Sequence, residues 1–297
     1  MRDRVMAGHG DPAARAPRRD LGSAVIAMVV TVVLVASAGC GAGGDGTADS
    51  SAVAPDTLSH VPVVVERSEG DCGRGDGDTT AVPCVTVQVK YPDITGAPVA
   101  ALADSVRAFV LSVAAAAPGV SERTEPYPSV DSLVSSFVNQ YEEYSREMPT
   151  EFPHSWLLER DVVIACNTPS IVSVRADESS YLGGAHGMTV ARLASFDPAT
   201  GRRLGLADWV SDTAAATAAG ERAFREQRDI TDGQSLARAG FIFFEDGRFS
   251  LNDNVMLCDD TLTFHYDPYE IGPYSIGPTD LRLPLSAIGD STALIRK

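Results

Sequence analysis

Two short stretches constrain this chain more than any other part: residues 181–187 (YLGGAHG) and 267–277 (DPYEIGPYSIG), each a turn ending a strand-like run. The first sets a lone imidazole, His186, among Gly183, Gly184 and Gly187. The second sets Tyr269 and Tyr274 beside Pro268 and Pro273. Glycine admits φ > 0 and close backbone approach. Proline fixes φ and reduces the entropy lost when an exposed segment is immobilised. Segments of this kind present a surface to a partner, and they do not arrange a catalytic constellation.

The runs between these turns read as a mixture of strands and helices. Residues 61–67 form a β-branched strand whose Pro62 suits an edge. In 84–91, Val85, Val87 and Val89 alternate with Thr86, Gln88 and Lys90, the period of a half-buried strand. Residues 98–117 carry Leu102, Val106 and Val110 at helical spacing, and 130–146 do the same with Leu133, Phe137 and Tyr141. Paired strands at 156–166 and 171–176 follow, then a strand over 187–196 and a turn at 197–201 with Asp, Pro and Gly in turn-favoured places. Residues 206–229 read as largely helical, with Trp209 and Phe224 as core anchors. Residues 241–245, 261–266 and 281–285 read as late strands. Most connections are too short for crossovers. The fold class expected is therefore α+β, mainly antiparallel sheet with packed helices, in two successive subdomains at 60–168 and 169–297.

Export is written at the N-terminus. Residues 1–20 carry five arginines, an apolar run follows at 24–36, and Ser37-Ala-Gly-Cys40 closes it. A basic region, a short apolar region and small residues make a secretory signal. The cysteine after Ala38-Gly39 resembles a bacterial lipobox, so residues 1–40 are expected to be a lipoprotein signal with lipid attached at Cys40. An uncleaved anchor over 21–42 is the alternative. Residues 41–59, dominated by Gly, Ala, Ser, Asp and Thr, read as a flexible tether. The expected location is the extracytoplasmic face of a bacterial cell membrane.

Cys72, Cys84, Cys166 and Cys258 remain, and four cysteines allow three connectivities. The preferred pairing is Cys72–Cys84, closing a Gly/Asp-rich loop, with Cys166–Cys258 tying a middle strand to a late one. Four buried thiols are the alternative. The formal charge of −16 argues against nucleic acid and anionic membrane surfaces and suits a basic partner. Asp71, Asp76 and Asp78 lack the spacing and closing Glu of a calcium loop, so no metal or cofactor is expected.

The order of these features resembles the RsiV-like extracytoplasmic domain family, found in a lysozyme-sensing anti-sigma factor and in related lipoproteins and cell-wall proteins. The resemblance rests on four motifs in order: residues 181–187; Phe196-Asp-Pro-Ala-Thr-Gly201; Leu206-Ala-Asp208 with Trp209; and residues 266–277. It implies a binding surface for C-type lysozyme at the late loop, on Pro268, Tyr269, Glu270, Pro273 and Tyr274; Tyr181 and His186 of the early loop are further partner-binding candidates. His186 also reads simply as a turn histidine among glycines. Only about 20 residues precede the apolar run, and they carry no helical stripe, so signalling through a sigma factor is not expected. The chain is read as a lipid-anchored binding module, with a peptidoglycan- or carbohydrate-binding module as the alternative. A wall-acting enzyme using His186 and Glu270 ranks last, because none of the common hydrolase motifs appears.

Overall fold

The structure is a computed structural model that describes residues 56–70, 72, 84–119, 123–148 and 155–288. The signal, Cys40, the tether up to residue 55, and Asp71, Asp76 and Asp78 lie outside the described residues. Strands β1 (Ser59–Glu69), β2 (Val85–Gly96), β3 (Trp156–Asn167), β4 (Val172–Tyr181), β5 (Met188–Phe196) and β6 (Arg203–Leu204) form one sheet in sequence order. Its pairs are antiparallel except β2 with β3, which run parallel. The reason is the connection between them: helices α1 (Ala100–Ala114) and α2 (Val130–Glu147) intervene, long enough to carry the chain back across the sheet. Residues 168 and 169, where the sequence suggests a subdomain boundary, fall in the tight turn between β3 and β4 of this one sheet.

Alternation decides which face of the sheet is covered. Val85, Val87 and Val89 of β2, with Leu158 and Val162 of β3, are buried against the helices. Leu102, Val106 and Val110 of α1 meet them, as the helical spacing requires. Ser129 caps α2 by accepting from the Ser132 N–H at 3.1 Å, and Phe137 and Tyr141 bring their rings 5.6 and 5.8 Å from that of Trp156. Gly201, at φ 71°, ends the 197–201 turn so close to α1 that a Cβ would lie 2.4 Å from the Ala101 carbonyl oxygen. No other residue fits there without moving the helix.

The second unit is a three-stranded meander, β7 (Val255–Cys258), β8 (Thr261–Tyr266) and β9 (Thr279–Pro284), with helices α3 (Leu206–Trp209) and α4 (Thr213–Gln227). Trp209 and Phe224 are core residues, as read. The single helix read over 206–229 is two, because Val210 is extended and Asp212 starts a new helix by accepting from the Ala215 N–H at 2.9 Å. Residues 241–245 are not a strand. Gly240 adopts φ 99°, Phe241 and Phe244 turn inward, and their rings lie 4.8 and 5.7 Å from Phe224. A run of four apolar residues is compatible with a strand or with a tight turn, and here it forms the turn.

The two units are stitched by side chains rather than by a shared strand. The buried hydroxyls of Ser173 and Ser195 lie 2.8 Å apart; Ser173 donates to the Leu257 carbonyl at 2.6 Å, and Ser195 accepts from the Leu257 N–H at 3.0 Å. Beyond the short β6, the free edge of β5 is met by side chains: Asn254 Oδ1 accepts from the Leu193 N–H at 2.8 Å and Asp267 Oδ1 from the Ala191 N–H at 3.0 Å. Side-chain oxygens thus take the place of a neighbouring strand, which keeps this edge from pairing with another chain. Cys166–Cys258 joins β3 to β7 with Cα atoms 5.7 Å apart, and Cys72–Cys84 closes the β1–β2 connection at 5.0 Å.

Candidate functional site

Residues 181–187 lie between β4 and β5 and residues 267–277 between β8 and β9, and the fold brings them side by side. The early loop closes on itself: the Tyr181 hydroxyl donates to the Gly184 carbonyl at 2.9 Å, and Gly183 takes φ 80°. His186 Nδ1 lies 2.9 Å from the Gly187 carbonyl oxygen, which can only accept, so Nδ1 carries the proton. Nε2 then accepts from the Tyr269 hydroxyl at 3.3 Å. The imidazole stacks on the Tyr274 ring with centroids 3.7 Å apart and planes 17° from parallel. Tyr269 stands 5.7 Å from Tyr274, centroid to centroid. His186, Tyr269 and Tyr274 are therefore one cluster drawn from two loops.

The late loop is held by charge. Asp267 Oδ2 accepts from Arg192 at 2.6 Å, and His265 Nε2 lies 3.3 Å from Asp267 Oδ1, off the ideal hydrogen-bond line. On the other side His265 Nδ1 donates to Asp280 at 2.6 Å, and Asp280 also accepts from Arg175 at 2.9 Å. His265 is only 5% exposed. Burial pulls its pKa down, but the hydrogen bonds and charges of Asp267 and Asp280 outweigh that and raise it to about 9. Both carboxyls are held below their ordinary value: burial pushes them up, and the bonds to His265 and the nearby arginines prevail. His265 is thus charged at neutral pH and fastens both ends of the loop.

Within the loop Glu270 is a fastener too. Its Oε2 accepts from the Asp267 N–H at 2.8 Å and its Oε1 from Asn252 at 2.7 Å. Pro268 is buried and shapes the turn, whereas Pro273 is exposed. Tyr269 sits at φ 69°, a left-handed conformation that is strained for a tyrosine, and it is 47% exposed. The site residues read from the sequence thus divide. His186, Tyr269 and Tyr274 form the cluster; Tyr181, Pro268 and Glu270 position it. The sequence reading missed His265, Asn254, Arg192 and Asp280 as parts of the site, because their partners are distant along the chain: 75 residues for Arg192 with Asp267 and 105 for Asp280 with Arg175.

A cleft of about 570 Å³ runs between the open face of the large sheet and the second unit; His265 and Asp280 line it, and the three cluster residues do not. Gln88, Lys90, Glu159, Asp177, Thr189 and Asp280 are among its lining residues. Among the described residues one group of metal-ligating side chains occurs, Cys166, Cys258 and Asp259, and its two sulfurs are joined in a disulfide. Among them also, no helix is long and apolar enough to cross a membrane.

Two family models match the chain. One, described as deacetylase PdaC, covers residues 79–189, from before β2 to the start of β5. The other, a protein of unknown function family, DUF3298, covers 210–286 and includes the late loop. No curated protein matches. Similar solved structures include a DUF3298 family member from Bacteroides fragilis NCTC 9343, 20% identical with a TM-score of 0.58, and a DUF3298 family protein from Pseudomonas aeruginosa PAO1, 17% identical with a TM-score of 0.57. Each alignment covers 80% of this chain and 94% of the other. At such identities the likeness is one of fold: an α+β domain of the kind found in a family of unknown function.

Proposed function

We propose that this chain is an extracytoplasmic, lipid-anchored binding module that captures a basic secreted protein of the C-type lysozyme kind. The observation carrying this reading is the His186–Tyr269–Tyr274 cluster, an aromatic surface held by two braced loops on an acidic protein. Tyrosine offers rigid area with a polar tip and loses little entropy on binding. Net negative charge speeds encounter with a basic partner. The RsiV-like resemblance of the same two loops points the same way.

Calorimetry of the oxidised protein with C-type lysozyme, at low and at physiological salt and with lysozyme activity read in parallel, tests the reading. One-to-one binding that survives physiological salt is the expected outcome. Binding that vanishes with salt would reduce the effect to charge attraction.

A second reading, a peptidoglycan- or carbohydrate-binding module, draws support from the cleft on the open face of the large sheet, where Gln88, Lys90, Glu159 and Asp177 offer hydrogen-bonding groups to a sugar. It predicts retention on purified wall material without any protein partner. A wall-acting enzyme has one prompt, the deacetylase description of the first family model. It would require product release from wall material that His186→Ala abolishes.

A further inference from the structure

We propose that the turn carrying Ile242 and Phe243 is the apolar anchor of the docking surface that Tyr269 begins, and that its occupant is the basic secreted protein of the binding-module reading, on which this inference rests. Ile242, Phe243 and Tyr269 are 54%, 49% and 47% exposed, more than any other large apolar side chain among the described residues. They come from two distant segments that the fold ties together. The Phe243 N–H donates to the Ile271 carbonyl at 3.3 Å, two residues from Tyr269. Gly272 packs so tightly that a Cβ there would lie 3.0 Å from the Gly240 carbonyl oxygen.

The outward pose of these side chains is enforced. Their neighbours Phe241 and Phe244 are buried against Phe224, so the turn cannot rotate Ile242 and Phe243 inward without expelling two core rings. Apolar side chains held rigid and in water are released from unfavourable hydration when covered, and little freedom is lost in doing so. This is the make-up of an interface core.

The rim selects the occupant. Residues 229–253 and 267–277 together carry seven carboxylates and two arginines. Glu245 and Asp246 are exposed directly after Phe244, and Glu270 directly after Tyr269. A second copy of this chain, also at −16, would bring like charge against like. A cationic protein would complete the apolar contact with an opposite rim.

The test is the full chain carrying Ile242→Ser with Phe243→Ser, titrated with C-type lysozyme at physiological salt beside the unaltered protein and Tyr269→Ala. Both side chains are exposed, so the melting temperature is expected to hold. Affinity is expected to fall on the order of 30-fold. Unaltered affinity in the double variant, with loss in Tyr269→Ala, would overturn this inference and leave the binding-module reading standing. No lysozyme binding by the unaltered protein would remove that reading and this one with it. A dimer of the unaltered chain that the double variant abolishes would assign the patch to a second copy and overturn the choice of partner.

Discussion

Both units of this protein bury charge, and they do so with different chemistry. In the first, Arg160 of β3 pairs with Glu178 of β4 beneath the helices, with both side chains almost wholly buried. Arg160 also donates to the Ala114 and Ala116 carbonyls at 2.8 and 2.9 Å, and Glu178 accepts from the Gly119 N–H at 2.8 Å. The pair satisfies the carbonyls at the end of α1, where a helix leaves acceptors unpaired. In the second unit the buried cation is His265, set between Asp267 and Asp280. Arginine stays charged at any pH a protein meets, whereas histidine does not. The cation of the first clamp keeps its charge across the pH range of a folded protein. The second, which holds the late loop, is conditional on pH.

The comparison can be broken in several ways. The largest effect is expected from the link between the units. Replacing Cys166 and Cys258 by serine should cost about 4–5 kcal/mol, against about 3 for Cys72 and Cys84, because the closed loops span 92 and 12 residues. Denaturant titration of the two double variants measures this, and equal losses would contradict it.

Arg160→Ala should cost about 3–5 kcal/mol by stranding Glu178 in the core. Denaturant titration at neutral pH measures this, and a loss below about 1 kcal/mol would contradict a buried clamp.

His265 supplies the next effect. Its folded pKa, about 9, lies above the ordinary 6.5, so its stabilisation is complete below pH 6.5 and fades as pH rises through about 9. The loss should be on the order of 2–3 kcal/mol. His265→Asn should flatten this slope in a melting series from pH 6 to pH 10, and an unchanged slope would place the titrating group elsewhere.

Tyr269→Ala should be the mildest in stability, within about 0.5 kcal/mol, because an exposed ring on a loop supports little packing. Lysozyme affinity should nevertheless fall. An equal fall in melting temperature would make Tyr269 a structural residue.

Local chemistry made much of this molecule readable. Valine alternation in β2, the helical stripes of α1 and α2, and the Asp197–Gly201 turn each depend on a few consecutive residues, and each stands where its pattern puts it. The preference for Cys72–Cys84 and Cys166–Cys258 also matches the structure. The glycine and proline loops announced themselves because unusual backbone demands unusual residues.

What escaped the sequence depends on distant neighbours. A run such as Phe241-Ile-Phe-Phe states only that something apolar is wanted; Phe224 decides that two rings turn inward and two side chains turn out. Along the chain Asn252-Asp253-Asn254 has only the composition of a turn, and the β5 edge alone gives Asn254 an N–H to accept from. Along the chain His265 is one histidine in a strand-like run, and nothing near it foretells Asp280 on the next strand, held there by Arg175. The sequence by itself determined most of the elements, the two special loops and the acidic balance. Tertiary structure alone decided which side chains became clamps and which were left in water, because burial, charge pairing and exposure are properties of the surroundings that only the closed chain supplies.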